Sequence, residues 1–409
     1  MSFTRPPHEV ADVCREHGDA YRLLHHPTAA QRKVLQRLAA CRTAALGGHV
    51  DACRECGHKR ISYDSCRDRH CPKCQHSRKL EWLEQRLERL LPVPCFHVVF
   101  TLPQELRALA LAHQELLYDM LFLSASSTLR TLARDPERLG ADIGVTAVLH
   151  TWSQNLMLHP HLHCVVTGGG LSRDGTRWIP ARARYFMPVK VLAKLFRGKF
   201  LSALQAAFAS GKLRFSASTQ HLAAPLNWLS FKDALYRKDW LVYAKRPFGG
   251  AKQVFAYLGR YTHKVAISNH RIVSRNGGNV TFTARAPRGA NKRVSITVHG
   301  PEFLRRFLLH VLPKGFVRIR HYGLYAGRNV HAKLEAAHAI LAPRAMPQPP
   351  TANSPRAAAH TPWWERVLVR AEHHAAACPA CGGPLTLVET LAPIPHRTAA
   401  PPRAPPKAP

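Results

Sequence analysis

The sequence predicts an α+β protein in three parts. An N-terminal helical, cysteine-rich, zinc-binding module spans 1–92, a domain mixing helices and strands spans 93–342, and a Pro- and Ala-rich tail spans 343–409. Three observations predict this. Residues 1–48 carry helix-spaced apolar positions, among them Tyr21, Leu23, Leu24, Val34, Leu35 and Leu38, and residues 49–76 are dense in cysteine. From Cys95 onward, runs rich in β-branched and aromatic residues alternate with helical stretches. From about 343 the composition cannot build a core, and the last residues, PPRAPPKAP, are expected to be disordered.

The elements follow in order. Lys79–Leu91 has helical periodicity through Trp82, Leu83, Leu87, Leu90 and Leu91. Cys95–Leu102 reads as a buried strand, 105–134 as helix, and Val145–Trp152 and His161–Thr167 as two strands split by a polar turn. Gly168-Gly169-Gly170 ends the second of these. Residues 189–209 and 251–262 read as helices. Val265–Val273, Val280–Ala284 and Val294–Val298 read as strands, with Gly277-Gly278 turning between the first two. Leu304–Leu312 and Arg328–Leu341 close the domain as helices.

Charge narrows the partner. There are 59 Lys and Arg against 25 Asp and Glu, a formal charge of +34. Such an excess repels itself unless an anion absorbs it, and the usual anion is nucleic acid. No segment approaches the ~20 apolar residues of a membrane span, and the N-terminus lacks the apolar core of a secretory signal. The expected location is the reducing cytoplasm, with the nucleoid, so the 11 cysteines read as metal ligands or core residues.

Three CxxC pairs occur, where chance predicts roughly 0.3. Cys53-x2-Cys56 and Cys71-x2-Cys74, separated by 14 residues, are expected to close one tetrahedral, structural Zn2+ site. Cys66, His49, His58 and His70 lie close enough in sequence to substitute or to support a second metal. Arg69 and Lys73 belong to the basic surface of this module and are expected to touch DNA. Cys378-x2-Cys381 is a third knuckle with a single visible pair, which His373 and His374 are placed to complete.

His159-Pro160-His161-Leu162-His163 alternates, so all three histidines share one strand face. With 26 histidines, HxH pairs arise by chance, and surface or core-edge histidines explain the motif in isolation. Gln154, seven residues before His161, is expected to be the third ligand of a catalytic divalent ion, Mg2+ or Mn2+, with His159 as its competitor. Tyr257 and Tyr261 stand at i and i+4 on one helix face. Core packing is the ordinary explanation of such a pair. The polar neighbours Arg260, Thr262, His263 and Lys264 instead suit a phosphate path. A phenol attacking phosphate needs a metal beside it and forms a covalent intermediate.

The runs SCRDRHCPKCQ (65–75), FHVVFTLP (96–103), VLHTWSQNLMLHPHLHCVVTGGGL (148–171), YLGRYTHKVAISNHRI (257–272) and FLLHVLPKGFVRIRHYGLY (307–325) resemble, in order and spacing, the insertion sequence 91 family of transposases. These are rolling-circle enzymes of the HUH, two-tyrosine class. The resemblance covers roughly 10–340 and implies an HUH nuclease domain with a central antiparallel sheet. It also implies His161 and His163 as metal ligands, Tyr257 and Tyr261 as catalytic nucleophiles, and an N-terminal zinc-binding domain. The implied function is a DNA transposase that cleaves single-stranded element ends through a 5′-phosphotyrosine and transfers the strand to a target. Arg260, Lys264, Arg318 and Arg320 would track the DNA backbone. The competing readings are a rolling-circle replication initiator or relaxase, and a non-catalytic zinc DNA-binding regulator.

Overall fold

In the computed structural model, the described residues are 6–74, 90–182, 187–245, 265–286, 293–327, 330–342 and 377–394. The first helices are α1 (Val10–Leu24) and α2 (Ala29–Ala40). Thr28 starts α2 through a capping box. The Gln31 backbone N–H donates to Thr28 Oγ1, and the Thr28 N–H donates to Gln31 Oε1. A hairpin of β1 (Gly48–Cys53) and β2 (Lys59–Tyr63) follows.

The central sheet begins with β3 (Cys95–Thr101). Helices α3 (Arg107–Ala112) and α4 (Gln114–Arg134) come next, interrupted at His113. Then come the long hairpin of β4 (Asp142–Trp152) and β5 (Leu158–Leu171), and β6 (Trp178–Pro180). Helices α5 (Val189–Ala209) and α6 (Pro225–Arg237) precede β7 (Val242–Lys245). A meander of β8 (Ile272–Asn276), β9 (Asn279–Arg285) and β10 (Arg293–His299) leads into α7 (Gly300–Leu308). The remaining elements are β11 (Ile319–Gly323), α8 (Val330–Leu341) and β12 (Leu385–Leu391).

The strand order of the central sheet is β11-β4-β5-β3-β7, with β6 paired to β5. All of its pairings are antiparallel, as expected of the domain. Alternation decides its two faces. Val98 and Phe100 of β3, Val145, Ala147 and Leu149 of β4, and Leu162, Cys164 and Val166 of β5 join one core with α4 and α5. Helix α4 supplies Leu117, Leu121, Ala125 and Leu129 at i, i+4 spacing, and α5 supplies Phe196, Phe200 and Leu204. The opposite face therefore receives His97, His150, His161 and His163.

A second core unites chain segments far apart in sequence. Val10, Val13 and Tyr21 of α1 and Val34, Leu35 and Leu38 of α2 pack with Ile272, Val280 and Phe282 of the meander and with Phe303, Leu304 and Phe307 of α7. The boundary expected at 92/93 is thus no boundary between cores. The first helices are built into the region after residue 264.

Three further differences from the sequence reading have physical reasons. Residues 265–271 are not strand. Ala266 takes φ +54°, and Asn269 turns back so that its Oδ1 accepts from the Val10 N–H at 3.1 Å. The glycines at 168–170 do not end β5, which runs on to Leu171 because β6 pairs with them. The knuckle assigned to the tail is folded: β12 pairs antiparallel with β1, giving the three-stranded order β12-β1-β2. Gly277 and Gly278, at φ +58° and +80°, do turn the β8–β9 hairpin. The helix expected over 251–262, and that over 79–91 apart from its last two residues, lie outside the described residues. Among the described residues no helix is long and apolar enough to cross a membrane.

Candidate functional site

The β4–β5 register places His150 directly opposite His161, and Val148 opposite His163. Non-adjacent residues on one strand face and their cross-strand partners converge, so His150, His161 and His163 each present one ring nitrogen within 4.8 Å of the others. His150 is buried, and His161 and His163 are half-buried. Their ring orientations are fixed from behind. The His161 Nδ1 lies 2.7 Å from the His159 carbonyl and donates to it, leaving Nε2 for a ligand. The His163 Nδ1 is 2.8 Å from Nε2 of His97, and the two ring planes lie within 2° of each other with centroids 5.0 Å apart. Thr101 and His97 belong to β3, whose register sets Thr101 opposite His161 and Val99 opposite His163.

Burial keeps the imidazoles of His97, His161 and His163 neutral. His161 is pushed down to about 4, chiefly by loss of solvent, against the opposing hydrogen bond to the His159 carbonyl. Burial lowers His163 well below the ordinary range, and neighbouring His161 and His97 lower it further. His97 is pushed down to about 4 by burial and by the Lys245 charge. Neutral imidazole is the form that binds metal.

Gln154 sits away from the strand pairing that gathers the histidines. It lies in the turn beyond Trp152–Leu158, the last strand pair, with an exposed side chain, and its backbone carbonyl accepts from Arg271 at 2.5 Å. The structure brings His150 beside His161 and His163. His159 stays a neighbour, its ring 5.2 Å from that of His161, outside the three-histidine group. His150 and His97 escaped the sequence reading. Counting pairs back from the β4–β5 turn would have found His150, had the bulge at 150–152 been known.

The cysteines also regroup. Cys53, Cys56, Cys71 and Cys74 do not form one site. Cys71 and Cys74 join Cys41 and Cys66 in one four-sulfur cluster, while Cys53 and Cys56 join Cys378 and Cys381 in another. In the first cluster Cys41 Sγ lies 3.5 Å from Cys74 and 3.6 Å from Cys71, and Cys66 lies 3.6 Å from Cys74. Zn–S bonds of about 2.3 Å place tetrahedral sulfurs about 3.8 Å apart, whereas a disulfide needs about 2.05 Å. These four buried thiols therefore fit Zn2+. Cys41 follows the last residue of α2 and has no CxxC partner, so spacing could not reveal it. His70 is not a ligand here. Its Nδ1 is 2.8 Å from Asp68 Oδ1.

Four cations expected on DNA are engaged inside the protein. Arg69 donates to the carbonyls of Phe316, Leu312 and Pro313, clamping the segment between α7 and β11. Lys73 pairs with Glu9 at 2.7 Å and donates to the Cys41 carbonyl, tying the zinc knuckle to α1. Arg320 pairs with Asp119 at 2.5 Å and lies over the Phe122 ring at 4.3 Å. Arg318 is enclosed beside Arg69, and burial pushes it down to about 10. Tyr257, Arg260, Tyr261 and Lys264 lie outside the described residues.

The comparisons agree with this architecture. The family described as "Transposase zinc-binding domain" matches residues 13–102, and the family described as "Putative transposase" matches residues 144–333. The chain is 47% identical over 374 residues to "Putative transposase y4qJ" of Sinorhizobium fredii, covering 91% of this chain and 92% of that protein. It is 28% identical over 306 residues to the transposase for insertion sequence element IS801 of Pseudomonas savastanoi pv. phaseolicola, covering 72% and 70%. No solved structure matches. With a zinc-binding module, a transposase-matching region carrying the three histidines, and a relative 47% identical over 92% of its length, the chain belongs to the insertion sequence 91 family of transposases.

Proposed function

We propose that this transposase cuts and rejoins single-stranded DNA at its element ends through a 5′-phosphotyrosine, by rolling-circle transposition. The observation that carries the reading is the group of His150, His161 and His163, with the Nδ1 atoms of His161 and His163 both engaged. A divalent ion held there would polarise a phosphate oxygen and neutralise charge in the transition state. His150, His161 and His163 together give an all-imidazole donor set. Nitrogen donors suit Mn2+ better than the oxygen-seeking Mg2+.

The ends of the tyrosine segment support the same reading. Lys245, the last residue of β7, pairs with His97. Val265, where the described chain resumes, belongs to the second core, against which Trp152, two residues after His150, also packs. One of Tyr257 and Tyr261 attacks the scissile phosphorus through its Oη. The P–O3′ bond breaks, the 3′ oxygen takes a proton, and a 5′-phosphotyrosine forms. A 3′-OH later attacks that phosphorus, joins the strand to its target and returns the phenol. The second tyrosine is assigned the other cut, and Arg260 and Lys264 the adjacent phosphates. Such chemistry belongs where the element's DNA lies, in the cytoplasm with the nucleoid.

The test is adduct formation. Labelled single-stranded element ends are incubated with protein and Mn2+ or Mg2+, and SDS-resistant protein–DNA adduct is measured. Adduct is expected from wild type, reduced in each of Y257F and Y261F, and absent from the double variant and from H161A. Adduct in the Y257F/Y261F variant would overturn the assignment.

A further inference from the structure

We propose that Cys53, Cys56, Cys378 and Cys381 hold a second Zn2+ that fastens the C-terminal part of the chain to the N-terminal module. The two knuckles stand face to face and repeat one backbone pattern. In the first, the Gly57 N–H donates to the Cys53 carbonyl at 3.1 Å and the Cys53 N–H to the His58 carbonyl at 2.9 Å. In the second, the Gly382 N–H donates to the Cys378 carbonyl at 2.9 Å and the Cys378 N–H to the Gly383 carbonyl at 2.8 Å. Gly57 and Gly382 both take positive φ, +70° and +81°, which lets each loop fold back over its sulfurs. The N–H groups of Ala380 and Gly383 point at Cys378 Sγ and Cys381 Sγ, each at 3.4 Å, orienting the sulfurs as ligands.

The sulfurs interlock across the pair. Cys53 is 3.4 Å from Cys381, and Cys56 is 3.6 Å from Cys378, too far for disulfides and close to tetrahedral Zn–S4 edges. Gly383 eases that approach. A Cβ there would lie 3.2 Å from Cys53 Sγ and 2.5 Å from the Glu55 carboxylate.

Among the described residues, the rest of this end is held by hydrogen bonds rather than by an apolar core. Strand β12 pairs with β1, but Leu387, Val388 and the following Ile394 are exposed, and no residue of β12 enters a buried apolar cluster among the described residues. A three-stranded sheet without an apolar face is unstable in isolation. Closing a loop of more than 300 residues between Cys56 and Cys378 is where a metal clip has the most chain freedom to remove. The two sites should also differ in lability. The inner cluster is wholly buried, whereas Cys56 and Cys381 are exposed.

Elemental analysis of the purified full chain tests the proposal. Wild type is expected to carry two zinc ions per chain and the C378S/C381S variant one. One zinc in wild type, two in the variant, or iron in place of the second zinc would overturn it. A measurement on wild type alone removes any dependence on the variant's folding. Thiol alkylation followed by peptide mass spectrometry should find Cys53, Cys56, Cys378 and Cys381 protected together. Under mild chelation they should become reactive together, before Cys41, Cys66, Cys71 and Cys74. Alkylation of Cys378 and Cys381 at free-thiol rates in the zinc-loaded protein would overturn the proposal.

Discussion

The two faces of the central sheet use the same strands for opposite purposes. On one face Phe100, Leu149 and Leu162 meet helices α4 and α5 in a fully buried apolar core. On the other, one residue away along each strand, His150, His161 and His163 converge with His97 behind them. The comparison shows stability and chemistry separated by the two-residue period of a strand alone. A substitution on one face should leave the other's property intact.

The largest expected effect is on the apolar face. Phe196 is buried against Phe100 at 5.0 Å and Trp240 at 5.3 Å between ring centroids. F196A should lower unfolding free energy by roughly 3–5 kcal/mol in denaturant titration. Mn2+ affinity of the protein that remains folded should be unchanged. A matching loss of metal affinity would show the faces to be coupled.

The next effect tests the histidine side by pH. His310 is buried, with Nδ1 3.1 Å from Thr151 Oγ1 and Nε2 3.0 Å from the Leu156 carbonyl, and burial pushes it down to about 4. Its neutral form is favoured in the fold, so between about 6.5 and 4 the unfolded chain binds the extra proton. Stability is therefore full above pH 6.5 and falls as pH drops toward 4, by on the order of 3 kcal/mol for this one group. Unfolding curves at stepped pH check the slope, and H310N should flatten it. An unchanged slope in that variant would move the effect to other histidines.

The smallest effect sharpens the metal site. H97A removes the partner of His163 Nδ1 while leaving His150, His161 and His163 in place. Mn2+ binding followed by calorimetry should weaken about 10- to 100-fold, the usual cost of losing an orienting partner. Undiminished affinity would mean that His163 is held by its backbone alone.

Much of this was legible in the sequence where the signal is local. Helix 189–209 coincides with α5, and the buried run 95–102 with β3, because periodicity and β-branching act within one element. His161 and His163 were legible for the same reason. His150 was not legible, because only the pairing register across the β4–β5 turn sets it opposite His161. The basic residues illustrate the same limit. Charge counting marks Arg69, Lys73 and Arg320 as cations but cannot see Glu9, Asp119 or the carbonyls that satisfy them.

By itself the sequence determined that this chain has a histidine-bearing strand among helices, and cysteine knuckles suited to zinc. Both follow from residue spacing within a few turns or one strand. Only the tertiary structure decided which cysteines belong together. Cys41 meets Cys66, Cys71 and Cys74, and Cys53 and Cys56 meet a knuckle more than 300 residues away. A tetrahedral ion needs four sulfurs close in space and is indifferent to their separation along the chain. The same holds for the histidine face, where the third imidazole comes from the neighbouring strand through pairing register.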